Sequence, residues 1–282
     1  MGEAFSAEYV SRSFRSLEEF QPILRREHPT WRSSVVNNLR RIAVAGIRDP
    51  LTDELIPPQD LQVLNTNFRE TIAHRGLISR QRAVLLILRE LIYQGKLPDW
   101  DDIRLYLTES VTPLAELLKN KIPCLRCSEY LPDPDHHLRG KVTHRDIRRI
   151  GLPPATFNTV ICNEVLEHVE ELIPSLKGIS EILGLNGYLI ATVPFLIGQY
   201  DHKIKAIWRE DLGEAEILGE PDYHGDPINT KGSLVYRYPG WKLLDDVRNS
   251  GFSDAKMQFI SSATYGVLSE ESPSIAVLVA KR

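Results

Sequence analysis

Along the first hundred residues, apolar positions recur at three-and-four spacing. The runs SAEYVSRSFRSLEEF (6–20), TWRSSVVNNLRRIAVAGI (30–47), LQVLNTNFRETIAHRG (61–76) and SRQRAVLLILRELIYQG (79–95) all carry it, and each predicts a helix. Gly46, Pro57-Pro58 and Gly76 punctuate them. After Leu97-Pro98-Asp99 the pattern changes to short β-rich runs alternating with helical ones. Strands are predicted at IRLYLTE (103–109), CLRCSEY (124–130), FNTVICN (157–163) and GYLIATVPF (187–195), and helices at LAELLKNK (114–121), EELIPSLKGISEIL (170–183) and GWKLLDDVRNSG (240–251). Such alternation predicts an α/β, doubly wound parallel sheet. The last two runs, KMQFISS (256–262) and SIAVLVAKR (274–282), have no helix between them and read as an antiparallel hairpin at one side of the sheet. The expected organisation is an all-helical region over 1–98, then an α/β domain over 99–282.

Composition narrows the functional classes. In 282 residues the net charge is −4, with no basic excess, so no nucleic-acid partner is expected. The three cysteines include one Cys124-x-x-Cys127 pair but no second pair to complete a zinc site, so thiols in a reducing compartment and no metal are expected. The opening MGEAFSAEY has no apolar signal core, and no run reaches the length of a membrane span. A cytoplasmic protein with no membrane partner is therefore expected. Gly2 followed by Ser6 matches the loose myristoylation pattern only by coincidence.

Chemistry concentrates where the predicted strands stop. Glu109 ends the first, Glu129 the second and Asn163-Glu164 the third, with Asp146 just ahead of the third in HRDI. In open α/β sheets, ligands bind outside the carboxyl ends of the strands.

The stretch FNTVICNEVLEHV followed by LKGISEILGLNGYLIATVPF resembles class I S-adenosylmethionine-dependent methyltransferases of the small-molecule, Leu-Glu-His-Val type. The resemblance covers about residues 100–282. It implies a Rossmann-like methyltransferase sheet and S-adenosyl-L-methionine as cofactor. In that reading Glu109 holds the methionine ammonium, Glu129 accepts both ribose hydroxyls, and Asp146 accepts from the adenine amino group with Ile147 beside the ring. Asn163 and Glu164 line the floor near the sulfonium, and Ser110, Thr112 and Tyr130 complete the implied cofactor set. Glu167 and His168 are expected to open the next helix, His168 on the substrate side.

One departure stands out. The family's first loop is rich in glycine, whereas here it reads Glu109-Ser110-Val111-Thr112-Pro113. Thr112 can cap the following helix, Pro113 suits its first position, and the loop must take another path around the cofactor. The missing glycines also weigh against a nicotinamide dehydrogenase.

Residues 195–240 are aromatic, His-bearing and punctuated by Gly and Pro, and read as an ordered lid. For a hydroxyl acceptor, His202 or His224 is the candidate base, supported by Asp201 or Asp226. For an amine acceptor, Tyr200, Tyr223, Asp226 and Glu164 supply aromatic and acidic surroundings. The expected function is methyl transfer to oxygen or nitrogen of a small polar metabolite, natural-product intermediate or sugar. The alternatives are a non-catalytic binding module of the same fold and a protein side-chain methyltransferase. The N-terminal helices are expected to cover one side of the site or to form a homodimer interface.

Overall fold

In the structure, a computed structural model, residues 9–63, 65, 67–131, 133, 136–270 and 272–282 are described. Gly2 and Ser6 lie outside them. Seven strands form the main sheet: β1 (Val10–Phe14), β2 (Arg104–Leu107), β3 (Cys124–Cys127), β4 (Phe157–Asn163), β5 (Leu183–Thr192), β6 (Asp254–Ser261) and β7 (Ile275–Lys281). Their order is β1-β6-β7-β5-β4-β2-β3. The expected α/β class with a doubly wound parallel sheet is the one observed. β2 pairs in parallel with β3 through Leu107↔Cys127 and with β4 through Leu107↔Ile161, and β4 pairs in parallel with β5 through Asn163↔Thr192.

The chain divides into two compact units, Met1–Leu97 with Lys256–Leu278, and Pro98–Ala255 with Val279–Arg282. In the second unit, Leu105, Leu107, Val160, Ile161, Leu189 and Ile190 are all fully buried. A parallel strand covered on both faces needs apolar residues at consecutive positions, which is why FNTVICN shows no alternation. The first unit holds α1 (Leu17–Ala45) and α2 (Ser79–Tyr93), and the helices of the second are α3 (Pro113–Lys121), α4 (Leu172–Ile182) and α5 (Lys242–Arg248). They bury Leu114 and Leu118, Leu176 and Ile179, and Leu243 and Val247. Thr112 caps α3 by accepting from Ala115 N–H, with Pro113 in the first turn, as the sequence implies.

The first unit is not all helical. Val10–Phe14, expected within a helix, is an edge strand antiparallel to β6. The expected C-terminal hairpin therefore does not form the edge, because β1 lies outside β6. Phe14 explains the strand. Its ring meets Phe20 and Phe259 edge-on at 5.2 and 5.8 Å, while Phe20 and Phe259 stack at 4.6 Å. That aromatic cluster outweighs the local helical spacing.

The end of the run 6–20 and the run 30–47, expected as two helices, belong to one, α1 (Leu17–Ala45), which runs through Pro22 and Pro29. Each proline forgoes a backbone hydrogen bond, but Phe20, Trp31, Val35 and Ile42 keep one stripe of the helix buried. Gly46 ends it at φ +72°, where a Cβ would lie 2.1 Å from the Ile56 carbonyl oxygen. Among its described residues, LQVLNTNFRETIAHRG forms the strands Gln62–Val63 and Ile72–Ala73 around a single helical turn, Phe68–Thr71.

Helix α2 (Ser79–Tyr93) is the buried helix of this unit, with Ala83 to Leu88 closed off from solvent. Arg82 is inside it. Its guanidinium donates to the carbonyls of Leu77 (2.7 Å), Ile72 (2.5 Å) and Gly266 (2.9 Å), tying three chain segments to the helix start. Burial pulls its pKa down to about 9, against support from Asp49. Replacing Arg82 by Met removes all these donors, and a loss of about 3 kcal/mol or more is expected in the unfolding free energy measured by urea titration.

Acid should expose a second tie. Arg12 of β1 grips Glu27 of α1 two-pronged at 2.8 and 2.6 Å, and this hydrogen bonding lowers the Glu27 pKa from 4.5 to about 2. The unfolded chain takes up that proton first, so the contribution is present above pH 4.5 and lost as pH falls toward about 2. Arg12→Ala should flatten this acid limb in denaturant titrations. An unchanged limb would show that other carboxylates govern it.

Candidate functional site

Parallel pairing brings the carboxyl ends of β2, β3 and β4 to one edge. β2 has β3 on one side and β4 on the other, so the strand order reverses beside it. This is the switch point at which open α/β sheets bind ligands. Asn163 Nδ2 donates to Glu109 Oε1 at 2.8 Å, and Asn163 Oδ1 accepts from the Thr192 hydroxyl at 3.4 Å. Glu164 follows at φ +50°, its N–H held by the Thr192 carbonyl at 2.8 Å. A non-glycine residue in that conformation stores strain, here at the point where the chain leaves the sheet.

The glycine-free loop is organised by Glu129. Its Oε1 accepts the N–H groups of Ser110 (2.5 Å) and Val111 (3.2 Å), so a side chain closes the loop where glycine backbone would have done so. Burial pushes the Glu129 pKa up despite those hydrogen bonds. The Ser110 hydroxyl is buried with no hydrogen-bond partner among the described residues. Asp146 accepts from the Arg148 N–H and, two-pronged, from its guanidinium. Burial opposes its ionisation, but the Arg148 hydrogen bonds prevail and hold the pKa below the usual carboxylate value. Ile147 beside it is buried, and Arg148 lies over the exposed Tyr130 ring at 5.9 Å.

Glu167 and His168 do not open a helix; they sit in a turn, and α4 starts at Leu172. The carbonyls a helix would need are taken by tertiary donors. Glu167 O accepts from Tyr236 N–H at 2.8 Å and from Arg237 N–H at 3.3 Å. The buried Arg237 guanidinium donates to Val169 O at 2.5 Å and Glu170 O at 2.7 Å.

The segment 195–240 is ordered by three antiparallel pairings: Lys203–Ile204 with Arg237–Tyr238, Ala206–Arg209 with Glu214–Ile217, and Tyr223–His224 with Ser233–Leu234. Most of its candidate residues are used in this ordering. His202 Nδ1 accepts from Gly240 N–H at 3.2 Å and its Nε2 donates to Asp246 at 2.8 Å, so Asp246 rather than Asp201 or Asp226 is its partner. Asp226 accepts from Ile228 and Asn229 N–H and from the Ser233 hydroxyl. Tyr200 donates to Asp245 at 2.9 Å, and Tyr223 is exposed.

Only His224 of the lid candidates meets the turn after β4. Its ring stands edge-on to His168 at 5.3 Å, and its Nδ1 is 3.7 Å from Glu167 Oε1. The Glu167 carboxylate facing this nitrogen raises the His224 pKa, against burial. Sequence reading missed the central member, Glu167, together with Tyr238, Asp222 and Arg237 around it. The adjacent Glu-His pair was visible, but nothing local marks Glu167 as fully buried.

No family model matches the chain, and no curated protein sequence does. Among solved structures, it is similar to an S-adenosylmethionine-dependent methyltransferase from Mesorhizobium loti, with 12% identity, 72% of this chain and 98% of that one covered, and a TM-score of 0.45. It is also similar to a Listeria monocytogenes protein described as a methyltransferase of the same kind, at 11% identity, 69% and 96% coverage, and TM-score 0.41. A third is the 1,6-didemethyltoxoflavin-N1-methyltransferase of Burkholderia thailandensis, at 12% identity, 69% and 75% coverage, and TM-score 0.37. These likenesses are of fold.

Arg237 should prove essential to the turn after β4. Arg237→Leu removes both donors to the 169–170 carbonyls, with an expected cost of about 2–4 kcal/mol. Hydrogen exchange of the 165–170 amides should accelerate well beyond the global change. Arg237→Lys should not restore protection, because an ammonium cannot reproduce the planar fork.

Proposed function

We propose that the protein is an S-adenosylmethionine-dependent methyltransferase acting on an oxygen or nitrogen atom of a small polar molecule. The observation that carries this reading is the switch point itself, where Glu109 and Asn163 are hydrogen-bonded at the ends of adjacent parallel strands. The side chains present fit an adenosyl cofactor. Glu109 offers a carboxylate for the methionine ammonium, and the partnerless Ser110 hydroxyl lies in the loop beside it. Glu129 has its Oε1 committed to the loop, which leaves Oε2 for a ribose hydroxyl. Ile147 gives an apolar wall for the base, next to Asp146, whose carboxylate Arg148 already orients. When bound, the cofactor supplies an electrophilic methyl on a sulfonium.

The chain's own residues then have three tasks. Asn163 and Glu164 fix the floor at the end of β4, and the paired strands of 203–238 order the cover that excludes water. A hydroxyl acceptor also needs its proton removed. His202 has both ring nitrogens engaged, so the acidity of an acceptor would be handled at the Glu167–His168–His224 group. The reading is of a cytoplasmic protein: Cys124, Cys127 and Cys162 are free thiols, as a reducing compartment keeps them. Among the described residues no helix is long and apolar enough to cross a membrane.

A second reading, a binding module without catalysis, is favoured by the loop that closes on Glu129 without glycine. Calorimetric titration with S-adenosylhomocysteine separates the two. Binding is expected, weakened by about 1–3 kcal/mol in Glu129→Ala and in Glu109→Gln. Absence of binding to the folded protein at millimolar concentration would leave the module reading.

A further inference from the structure

Glu167 is a carboxylate in an unusual position. It is 0% exposed, and neither of its oxygens has a hydrogen-bond partner among the described residues. In their neutral forms the two imidazoles that face it turn no proton toward it. His168 Nδ1 lies 2.8 Å from the Leu234 carbonyl, which can only accept, so Nδ1 carries the hydrogen and Nε2 presents a lone pair to Glu167 at 3.6 Å. Tyr238 donates its hydroxyl hydrogen to Asp222 at 2.5 Å, so its oxygen accepts from His224 Nε2 at 3.3 Å. His224 Nδ1 is then the second lone pair, 3.7 Å from Glu167 Oε1. With both rings neutral, two nitrogen lone pairs and a buried carboxylate thus converge with no donor among them. Such an arrangement is costly unless a positive charge lies between them.

We propose that His168 Nε2, His224 Nδ1 and the Glu167 carboxylate bind a divalent transition-metal cation of the zinc type. One ligand atom from each lies within 4.8 Å of the other two. Donors about 2.0–2.1 Å from a tetrahedral cation stand about 3.3 Å apart, so the two separations from Glu167 Oε1, 3.6 and 3.7 Å, need little adjustment, and the two nitrogens start within 4.8 Å of each other. Two imidazoles and one carboxylate suit zinc, iron, cobalt or manganese better than calcium or magnesium. Both imidazoles already have the outer hydrogen bond that fixes a ligating tautomer, His168 to Leu234 O and His224 through Tyr238 to Asp222. Glu164 adds negative charge acting on Glu167 and His224.

Three protein ligands leave a coordination position open. A hydroxyl bound there loses its proton more readily, which would favour an oxygen acceptor. That consequence rests on the methyl-transfer reading; the site does not.

The test uses the full chain, stripped with a chelator, in the absence of any adenosyl compound. Zn²⁺ is titrated against a chromophoric chelator, and Co²⁺ is followed by its visible spectrum. The expected result is one tight equivalent, with Co²⁺ bands of a nitrogen–oxygen site and no thiolate charge-transfer band. His168→Gln and His224→Gln should each weaken binding by about 100-fold or more, and Tyr238→Phe by about 10–100-fold. The Cys124→Ser, Cys127→Ser double variant should bind like the parent. Glu167→Gln should also lose the metal; if it does not fold, the two histidine variants still decide the matter. The proposal is overturned if no metal binds below millimolar concentration. It is also overturned if binding survives both histidine variants or is lost with the cysteines. Titration with S-adenosylhomocysteine is independent, so either result can fail without the other.

Discussion

The site depends on the parallel register between β2 and β4. Leu105, Tyr106 and Leu107 lie opposite Thr159, Val160 and Ile161, and this alignment sets where both strands end. Glu109 and Asn163 consequently leave the sheet close enough for a 2.8 Å hydrogen bond. A one-residue slip would turn each apolar side chain to the other face and separate the two polar ends. What resists that slip is burial on both faces. Leu105, Leu107, Val160 and Ile161 are all closed off from solvent, so the core that stabilises the sheet also holds the switch point in place.

Buried charge appears in two forms that the surroundings treat differently. Arg82 and Arg237 are each enclosed, yet each guanidinium spreads its hydrogens over several main-chain carbonyls. In both cases a single side chain fixes a stretch of irregular backbone, 72–77 with 266 in one unit and 166–170 in the other. Glu167 lies on the stretch that Arg237 fixes, but it receives no such compensation. Rigid backbone around it and tautomer-fixing partners behind its two histidines keep the group from relaxing toward other donors. Preorganisation of this kind is what a ligand site requires and a merely structural core does not.

The lid shows how candidates of one chemical type are sorted by position. His202 and His224 sit in similar sequence surroundings, both near aspartates and aromatics. His202 ties Gly240 to α5 through both ring nitrogens, whereas His224 turns one nitrogen toward Glu167. Gly240 allows the first arrangement by close approach, since a Cβ there would come within 2.4 Å of the Asp201 carbonyl oxygen.

The sequence by itself determined the α/β character of residues beyond 98, because strands covered on both faces write their burial as unbroken apolar runs such as FNTVICN. It also determined which polar residues end those strands and that Thr112 and Pro113 start α3, since caps and strand ends are local features. Tertiary structure decided the rest. Val10–Phe14 became a strand because Phe14 has Phe20 and, far off in the chain, Phe259 to meet. Pro29 failed to divide α1 because one buried stripe outweighed a lost hydrogen bond. Glu167 and His168 left the helix because Tyr236 and Arg237, some seventy residues on, claimed the carbonyls that a helix would have used. Local propensity is worth tenths of a kcal/mol per residue, while a buried aromatic or guanidinium contact is worth about one to three. Wherever the two disagreed, the distant partner prevailed.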